Sequence, residues 1–221
     1  LDNHKYGDYQ PYLAKSTDRG LTWKSIKNNL PDRTLLWRIV QDHVKPELFF
    51  LATEFGVYFS INAGGEWTQL QGGMPTISFR DLAIQRREND LVAASFGRGV
   101  FILDDYSALR GVSKEQLAQE ANLFKTRKAH WYMPRSHLDF DTPKGSLGAQ
   151  HYMAPNPDFG ATFTYYLKDD LHSKKAKRQA AEKPLAEAGK NIAFPGWDAV
   201  KAEAEEQGPK VWLEVKGNDG K

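Results

Sequence analysis

The sequence predicts a mainly β protein with a helical insertion in its second half. Residues 1–110 consist of short runs rich in β-branched and aromatic residues, separated by Gly, Pro, Asn and Asp, which is typical of strands and turns. The same segment contains two copies of one pattern of polar, glycine and tryptophan residues. Residues 168–208 are instead rich in Ala, Lys and Glu, a composition that favours helix.

The repeat consists of STDRGLTW at residues 16–23 and SINAGGEW at residues 60–67, which lie 44 positions apart. The shared positions are Ser16 and Ser60, Asp18 and Asn62, Gly20 and Gly64, and Trp23 and Trp67. A period in the low forties with about four short strands per unit is typical of β-propeller blades. Residues 1–110 are therefore expected to form about two and a half blades, the last ones of a propeller.

The strands of these blades can be placed from runs that match between the copies. One strand is expected after Leu30-Pro31 and another after Met74-Pro75. The following strands are predicted in pairs, at 47–53 and 91–96, then at 56–60 and 99–103, with a last strand at 67–70. Closed propellers have about four to eight blades. The remaining blades are expected from the same chain or from another fragment, and both ends of the sequence have the pattern of truncated elements.

The repeated motif is expected to be a structural turn. The Asp18 carboxylate can accept hydrogen bonds from backbone N–H groups a few residues later. Gly20 can adopt a positive φ without a steric clash, and Trp23 can pack its ring on the neighbouring strands. Asn62 can replace Asp18 because its carbonyl oxygen accepts the same bonds. A Ca²⁺ site would need more oxygen ligands than each copy supplies.

The motif STDRGLTW resembles the Asp-box, or bacterial neuraminidase (BNR) repeat, of sialidases, sortilin-type receptors, some glucanases and a group of secreted bacterial repeat proteins described as glycosyl-hydrolase-like. The segments 95–110, 130–135 and 152–170 are similar to that last group. The resemblance implies that the chain is the C-terminal part of a large secreted or periplasmic bacterial protein. It also implies that both boxes lie on the propeller rim, away from any active site.

The sequence of the second half predicts a linker followed by a small β domain. Ser113 and Gln116 form a capping box that opens a helix over 114–121, within a linker spanning 111–122. Residues 123–221 are expected to form a truncated immunoglobulin-like sandwich, with strands at 161–167 and 211–216. A helical insertion over 168–208 is expected to contain helices at 172–188, divided or kinked by Pro184, and at 197–207, anchored by Trp197. This insertion is either a solvated element or a partner-binding arm.

Candidate functional residues are few. Arg98 lies in a glycine-flanked turn and Asp104 and Asp105 follow a strand, so these three are candidates for a pocket on the propeller axis, where an arginine can bind a carboxylate. His137, Asp139 and Asp141 alternate in HLDFD and are weak candidates for a metal site. A turn or surface role is the plainer interpretation of each, and no catalytic set or cofactor is predicted.

The composition and motifs of the sequence disfavour several classes of function. The chain has 30 basic and 28 acidic residues with no strongly basic segment, which disfavours nucleic acid and anionic membranes as partners. It has no cysteine and no apolar run long enough for a membrane span. Motifs of P-loop enzymes, α/β-hydrolases and zinc proteases are missing from the sequence.

The favoured function is a non-catalytic extracytoplasmic binding or scaffolding propeller, with a glycan or a protein as ligand. The first alternative is a fragment of a sialidase-like or glucanase-like glycoside hydrolase whose catalytic residues lie mainly on other blades. The second alternative is a sortilin-like peptide receptor. A cysteine-free second half argues against the sortilin-like alternative, because sortilin-type chains continue with a cysteine-rich module.

Overall fold

The computed structural model describes residues 2–133, 150, 159–208 and 210–217. In this part the chain is mainly β, with eleven strands and few helices. It divides into two compact units, Leu1–Tyr166 and Leu167–Lys221. His137, Asp139 and Asp141 lie outside the described residues.

The first unit begins with three consecutive antiparallel sheets. Strands β1 (Ala14–Lys15) and β2 (Lys24–Ser25) form a two-stranded sheet. The second sheet has four strands in sequence order: β3 (Leu36–Gln41), β4 (Phe49–Thr53), β5 (Gly56–Ser60) and β6 (Thr68–Gln69). The third sheet has β7 (Phe79–Gln85), β8 (Asp90–Ser95) and β9 (Val100–Leu103). The strands predicted from the matching runs are thereby confirmed, with shifts of a few residues at their ends.

The sheets are joined by two apolar clusters that contain the most buried strands. All five residues of β4 are buried, because this strand is covered on both faces. On one side Phe50 and Ala52 pack with Phe79, Leu82 and other residues of the third sheet. On the other side Phe49 and Leu51 pack with Ile26, Leu30 and Trp67. Successive side chains of β4 point to opposite faces of the second sheet, so this strand packs on both neighbouring sheets.

A buried ionic latch ties the second sheet to the segment after the third sheet. The Asp42 side chain, just past β3, is fully buried. Its carboxylate accepts hydrogen bonds from Arg110 Nε and Nη2 at 2.9 and 2.8 Å and from the Tyr106 hydroxyl at 2.7 Å. The amides of Val44 and Lys45 complete the set at 3.1 and 2.7 Å. Every oxygen of the carboxylate therefore has partners, as a buried charge requires.

The latch also determines the ionisation of its members. Burial alone would raise the pKa of Asp42, but the hydrogen bonds from Arg110, Tyr106 and the two amides outweigh it and hold this pKa well below its usual range. Burial and the Asp42 carboxylate raise the pKa of the Tyr106 phenol. Tyr106 lies in a 3-10 helix over Tyr106–Gly111 and packs edge-on against Phe50, with ring centroids 4.9 Å apart.

The chain then forms helix α1 (Lys114–Leu117) and strand β10 (Ala121–Leu123), which pairs with β11 (Tyr165–Leu167). The Ser113 hydroxyl accepts from the Gln116 amide, which confirms the cap. The reciprocal bond of the predicted capping box is not made, because Gln116 Oε1 is buried without a hydrogen-bond partner among the described residues. The helix is four residues long, shorter than predicted. The expected pairing of 161–167 with 211–216 is wrong, because β11 takes β10 as its partner and residues 211–217 form no strand. Alternation of apolar and polar residues indicates that a segment can form a strand, but it does not determine which strand pairs with it.

The second unit contains α2 (Lys174–Glu187) and α3 (Trp197–Ala204), close to the two predicted helices. Pro184 does not divide α2, since it lies in the last turn, where few hydrogen bonds remain to be lost. Arg178 on α2 binds Glu203 on α3 at 2.6 Å and Glu182 at 2.9 Å. Trp197 does not anchor α3 within this unit, as its side chain is 79% exposed and contacts Phe194.

The latch predicts that Arg110→Ala destabilises the protein strongly. Removing one partner of a buried ion pair leaves an uncompensated charge and costs about 3–5 kcal/mol. The matched control is Arg38→Ala, because Arg38 pairs with Asp81 at 3.3 Å on an exposed surface. That change is expected to cost less than about 1 kcal/mol. Urea unfolding of both variants measures the difference, and equal losses of stability would contradict the structural role given to the latch.

Candidate functional site

The two copies of the repeated motif fold into the same turn. Ser16 Oγ donates to Asp18 Oδ1 at 2.8 Å, and Ser60 Oγ donates to Asn62 Oδ1 at the same distance. The Gly20 amide donates to Ser16 Oγ at 2.7 Å, and the Gly64 amide to Ser60 Oγ at 2.9 Å. The side-chain oxygen at the Asp or Asn position then accepts from the backbone amide four residues on, at 2.9 and 2.8 Å.

Backbone conformation repeats with the hydrogen bonds. Arg19 and Ala63 have φ of 59° and 61°, and the glycines that follow them have φ of 90° and 87°. Gly64 is also sterically required, because a Cβ there would lie 2.9 Å from Ile26 Cδ1. These two turns follow β1 and β5 respectively, so they lie at matching places in the first and second sheets.

The first turn is closed by one bond that the second lacks. The Thr22 hydroxyl donates to Asp18 Oδ2. Hydrogen bonds from the Thr22 hydroxyl, the Thr22 amide and Ser16 lower the pKa of Asp18 to about 2. In the second copy Asn62 and Glu66 occupy these positions, and the Glu66 side chain has no hydrogen bond or ion pair with any described residue. The second turn is therefore closed by the Ser60 and Asn62 side chains, and the Glu66 side chain adds no bond to it.

Trp67 joins the two repeats. Its indole Nε1 donates to the Ile26 carbonyl at 2.8 Å. The side chain of Asn29 brackets its backbone, accepting from the Trp67 amide at 2.7 Å and donating to the Trp67 carbonyl at 2.8 Å. Asn28 donates to the Gly64 carbonyl. Residues 26–29 of the first repeat thus form a clasp around the second turn, and Trp67 is only 3% exposed.

Trp23 has no such clasp. Its Nε1 donates to the Gly20 carbonyl of its own turn at 3.1 Å, and the residue is 66% exposed. It borders a cavity of about 350 Å³ that Ile26, Ile39 and Phe49 also line. The same motif therefore presents a covered tryptophan in one copy and an uncovered one in the other.

A second surface lies at the opposite end of the strands from the two turns. We call it the aromatic–arginine surface and define it by Trp37, Glu54, Phe55, Ser78, Arg80, Phe96 and Arg98. Its residues come from the starts of β3 and β7 and from the turns that join β4 to β5 and β8 to β9. Thr53 pairs with both Leu36 and Gly56, and Ser95 pairs with Phe79, so these segments meet at one end of the two sheets.

Arg80 is the centre of the aromatic–arginine surface. Its guanidinium carbon lies 3.6 Å from the centroid of the Trp37 ring and 5.1 Å from that of Phe96. Such stacking is favourable and leaves the N–H groups at the guanidinium edge free to donate. Arg80 makes no hydrogen bond or ion pair with the described residues, and Phe96 is 70% exposed. A charged donor group is therefore held in place by aromatic rings.

Glu54 holds the Trp37 ring in position. Its Oε2 accepts from Trp37 Nε1 at 3.0 Å and from the Ser78 hydroxyl at 3.3 Å. These bonds fix the indole ring on which Arg80 stacks, and they connect the second sheet to the third. The His4 ring meets Trp37 edge-on, with centroids 6.1 Å apart.

The predicted pocket residues do not come together. Arg98 lies in the turn before β9 and belongs to the aromatic–arginine surface, whereas Asp104 and Asp105 follow the other end of β9. The Asp105 side chain accepts from the Ser107 amide at 3.3 Å and lies 3.6 Å from Arg127. Asp105 is thus a helix cap, and of the three candidates Arg98 alone belongs to the aromatic–arginine surface.

The described residues have the following patterns of potential metal ligands and of shifted carboxyl groups. They contain no group of three or more His, Asp or Glu arranged to hold a metal ion. Each carboxyl group with a shifted pKa in this part of the chain shifts downward, towards the ionised form. In the turn and the latch this follows from hydrogen bonds that stabilise the carboxylate. No helix in the described ranges is long and apolar enough to span a membrane.

Sequence reasoning missed Trp37, Arg80 and Asn29, although the repeat contains the signal for the first two. Trp37 and Arg80 occupy matching positions in the two copies, as do Arg38 and Asp81. Because β3 and β7 are neighbours, residues at matching positions meet across the two sheets. Arg80 stacks on Trp37, and Arg38 forms an ion pair with Asp81. Asn29 gave no signal, since its match in the second copy is Gly73.

Comparison with protein-family models and with curated proteins gives no match to this chain.

The clasp predicts unequal roles for the two tryptophans. Trp67→Ala removes a buried ring and is expected to cost about 3–5 kcal/mol. Trp23→Ala removes an exposed ring and is expected to cost less than about 1 kcal/mol. Chemical denaturation monitored by far-UV circular dichroism measures both. Similar losses for the two variants would show that the clasp contributes little.

The turns predict a difference in acid stability. The pKa of Asp18 falls from 3.8 to about 2 on folding, so its stabilising effect is complete above 3.8 and is lost as the pH drops through about 2. Asp18→Asn keeps the amide acceptor, as Asn62 shows, and removes this titration. The stability difference between wild type and variant should shrink across that pH window. Thermal melts over a pH series test it, with Asp104→Asn as the control, and an unchanged difference would contradict the assignment.

Proposed function

We propose that this chain is part of a non-catalytic β-propeller that binds a protein partner outside the cytoplasm, with the aromatic–arginine surface as its contact site. The extracytoplasmic location rests on the resemblance of STDRGLTW to Asp-box repeats. The contact site rests on geometry: an exposed arginine with unused donors, stacked on aromatic rings. Trp, Tyr and Arg are the residues enriched at the energetic centres of protein interfaces.

The propeller architecture is supported by the repetition of turns and sheets. Consecutive antiparallel sheets pack side by side, and their first strands β3 and β7 are neighbours, as expected for inner strands of adjacent blades. The first sheet has only the outer two strands of such a blade. An immunoglobulin-like domain after residue 123 stays part of the proposal on resemblance alone.

The remaining blades are proposed as a further partner of this chain. The clasp around Trp67 shows how one repeat covers the next, with an apolar residue and two asparagines. Trp23 presents the same turn without a cover. A preceding repeat, from the same protein or from another polypeptide, is proposed to close over Trp23 in the same manner.

A protein ligand suits the aromatic–arginine surface better than a glycan does. Two arginines, Arg80 and Arg98, carry charge that no described residue neutralises, and Phe55 and Phe96 add apolar area at the same end. An acidic or polar peptide segment with an apolar side chain complements both features. A glycan ligand and a glycoside hydrolase remain alternatives. A sortilin-like receptor is a further alternative, which would also bind a peptide but belongs to a different protein family.

The proposal predicts a ligand-binding defect in Arg80→Ala. Peptides selected from a displayed random library on the wild-type protein are titrated against the wild type, Arg80→Ala and Arg86→Ala. Arg86 is the control because it is an exposed arginine beyond the other end of β7. Loss of a central arginine at an interface weakens binding by at least about 2 kcal/mol, or roughly thirtyfold. Arg86→Ala should bind like the wild type.

Two results would overturn this assignment. One is equal binding of the selected peptides by Arg80→Ala and the wild type, with both proteins folded by circular dichroism. The other is the absence of peptide binding together with saturable, Arg80-dependent binding on a glycan array, which would transfer the same surface to a carbohydrate ligand. Hydrolysis of sialosides or β-glucans by the protein would favour the enzyme alternative.

A further inference from the structure

Strand β9 leaves one edge of the third sheet without a partner among the described residues. In the second sheet the matching strand is β5, which pairs with β4 on one side and with β6 on the other. In the third sheet β9 is the last strand, and the chain after it forms the 3-10 helix of the latch. The place that β6 takes in the second sheet is therefore open in the third.

The open edge presents the backbone groups of Val100 and Ile102. The Gly99 carbonyl accepts from the Ser95 amide at 3.0 Å, so this pair is hydrogen-bonded between β8 and β9. Bonded and non-bonded pairs alternate along an antiparallel ladder, which makes Phe101 the next bonded position. The N–H and C=O groups of Val100 and Ile102 therefore point away from β8, towards the open edge. Such a row of unpaired groups is a template for a further strand.

The side chains of β9 alternate between the core and the surface. Phe101 and Leu103 pack against the apolar cluster that joins the second and third sheets. Val100 and Ile102 are each 61% exposed. The edge thus combines free backbone groups with exposed branched apolar side chains, which is the kind of surface that takes up an added strand.

Two unpaired charges of opposite sign flank this strand. Arg98 lies in the turn before β9, and Asp104 directly follows the strand. Both residues are exposed, and neither forms a hydrogen bond or an ion pair with any residue that the structure describes. The segment reads RGVFILD, with no other charge, so its two ends are complementary when two copies run in opposite directions.

We propose that β9 pairs antiparallel with β9 of a second copy of this chain, centred on Phe101. Val100 of each copy then lies opposite Ile102 of the other, and Arg98 of each copy lies at Asp104 of the other. The two third sheets become one sheet of six strands, three from each copy. The contact is isologous, as in most symmetric dimers.

The backbone and the charges select the same register. Centring on Phe101 places Val100 opposite Ile102, and both have their backbone groups directed at the open edge. A register centred on Val100 would place Asp104 opposite Phe96, and one centred on Ile102 would place it opposite Val100. Neither shifted register pairs the two charges.

The dimer goes beyond the proposed ligand contact and does not depend on it. In the dimer Arg98 is neutralised by Asp104 of the second copy, so the ligand contact of the aromatic–arginine surface falls to Arg80. Arg80→Ala lies outside the paired segment and is expected to leave the dimer unchanged. Failure of one proposal is thereby distinguishable from failure of the other.

Charge reversal tests the pairing by sedimentation velocity over a concentration series up to the millimolar range. Arg98→Asp and Asp104→Arg each place like charges at both ends of the dimer. Each variant is expected to self-associate at least about tenfold more weakly than the wild type, since two partly exposed ion pairs become repulsive. An equimolar mixture of the two variants should restore association, because each chain then meets the opposite charge. Arg86→Asp is the matched control and should behave like the wild type.

Hydrogen exchange locates the contact on β9. The amides of Val100 and Ile102 should exchange rapidly in dilute solution and become protected as the protein concentration rises. The Phe101 amide faces β8 and should be protected at every concentration. Ile102→Lys places a charge in the centre of the contact and should remove the concentration dependence. Circular dichroism checks that this exposed position tolerates the change.

Three outcomes would overturn the proposal. The first is a chain that stays monomeric throughout the concentration series. The second is self-association that the charge-reversed variants leave unchanged, or that their mixture does not restore. The third is protection of the Val100 and Ile102 amides at all concentrations, which would mean that another segment of the same chain covers this edge.

Discussion

The clasp around Trp67 is the interaction on which the arrangement of the first unit depends. A tryptophan at the end of one repeat inserts beneath residues 26–29 of the repeat before it, and both its ring and its backbone are bound there. The apolar cluster around it includes Phe49 and Leu51 of β4. Because the alternate residues of β4 pack on the third sheet, β4 connects the cluster around Trp67 to that sheet.

The two ends of these strands have different physical roles. At the turn end, the side chains of Ser16, Asp18, Ser60 and Asn62 are used to satisfy backbone groups, so they hold conformation and have little capacity left for a ligand. At the other end, Arg80 and Arg98 have donors that no described residue uses. Stability and the proposed recognition are thereby separated along the same strands. In the second turn the Glu66 side chain takes no part in this bonding.

Much of the first unit could be predicted from the sequence because its information is local and repeated. Ser16, Asp18 and Gly20 bond within a few residues of each other, so a short motif determines the turn. The strands followed from runs that match between copies. The second half was harder: alternation over 211–216 shows that a segment can form a strand, but pairing of β10 with β11 is decided by contacts distant in sequence. The latch among Asp42, Tyr106 and Arg110 was missed for the same reason. Trp37 and Arg80 could have been found by asking which matching positions face each other across neighbouring repeats.

Native-state hydrogen exchange of the turn amides tests the clasp most directly. The amides of Gly64, Glu66 and Trp67 are bound in the clasped turn, and those of Gly20 and Thr22 are bound in the unclasped one. The account predicts that the clasped amides exchange only when the whole unit unfolds, and that the unclasped amides exchange faster through local opening. Equal protection of the two turns, or faster exchange in the clasped turn, would contradict it.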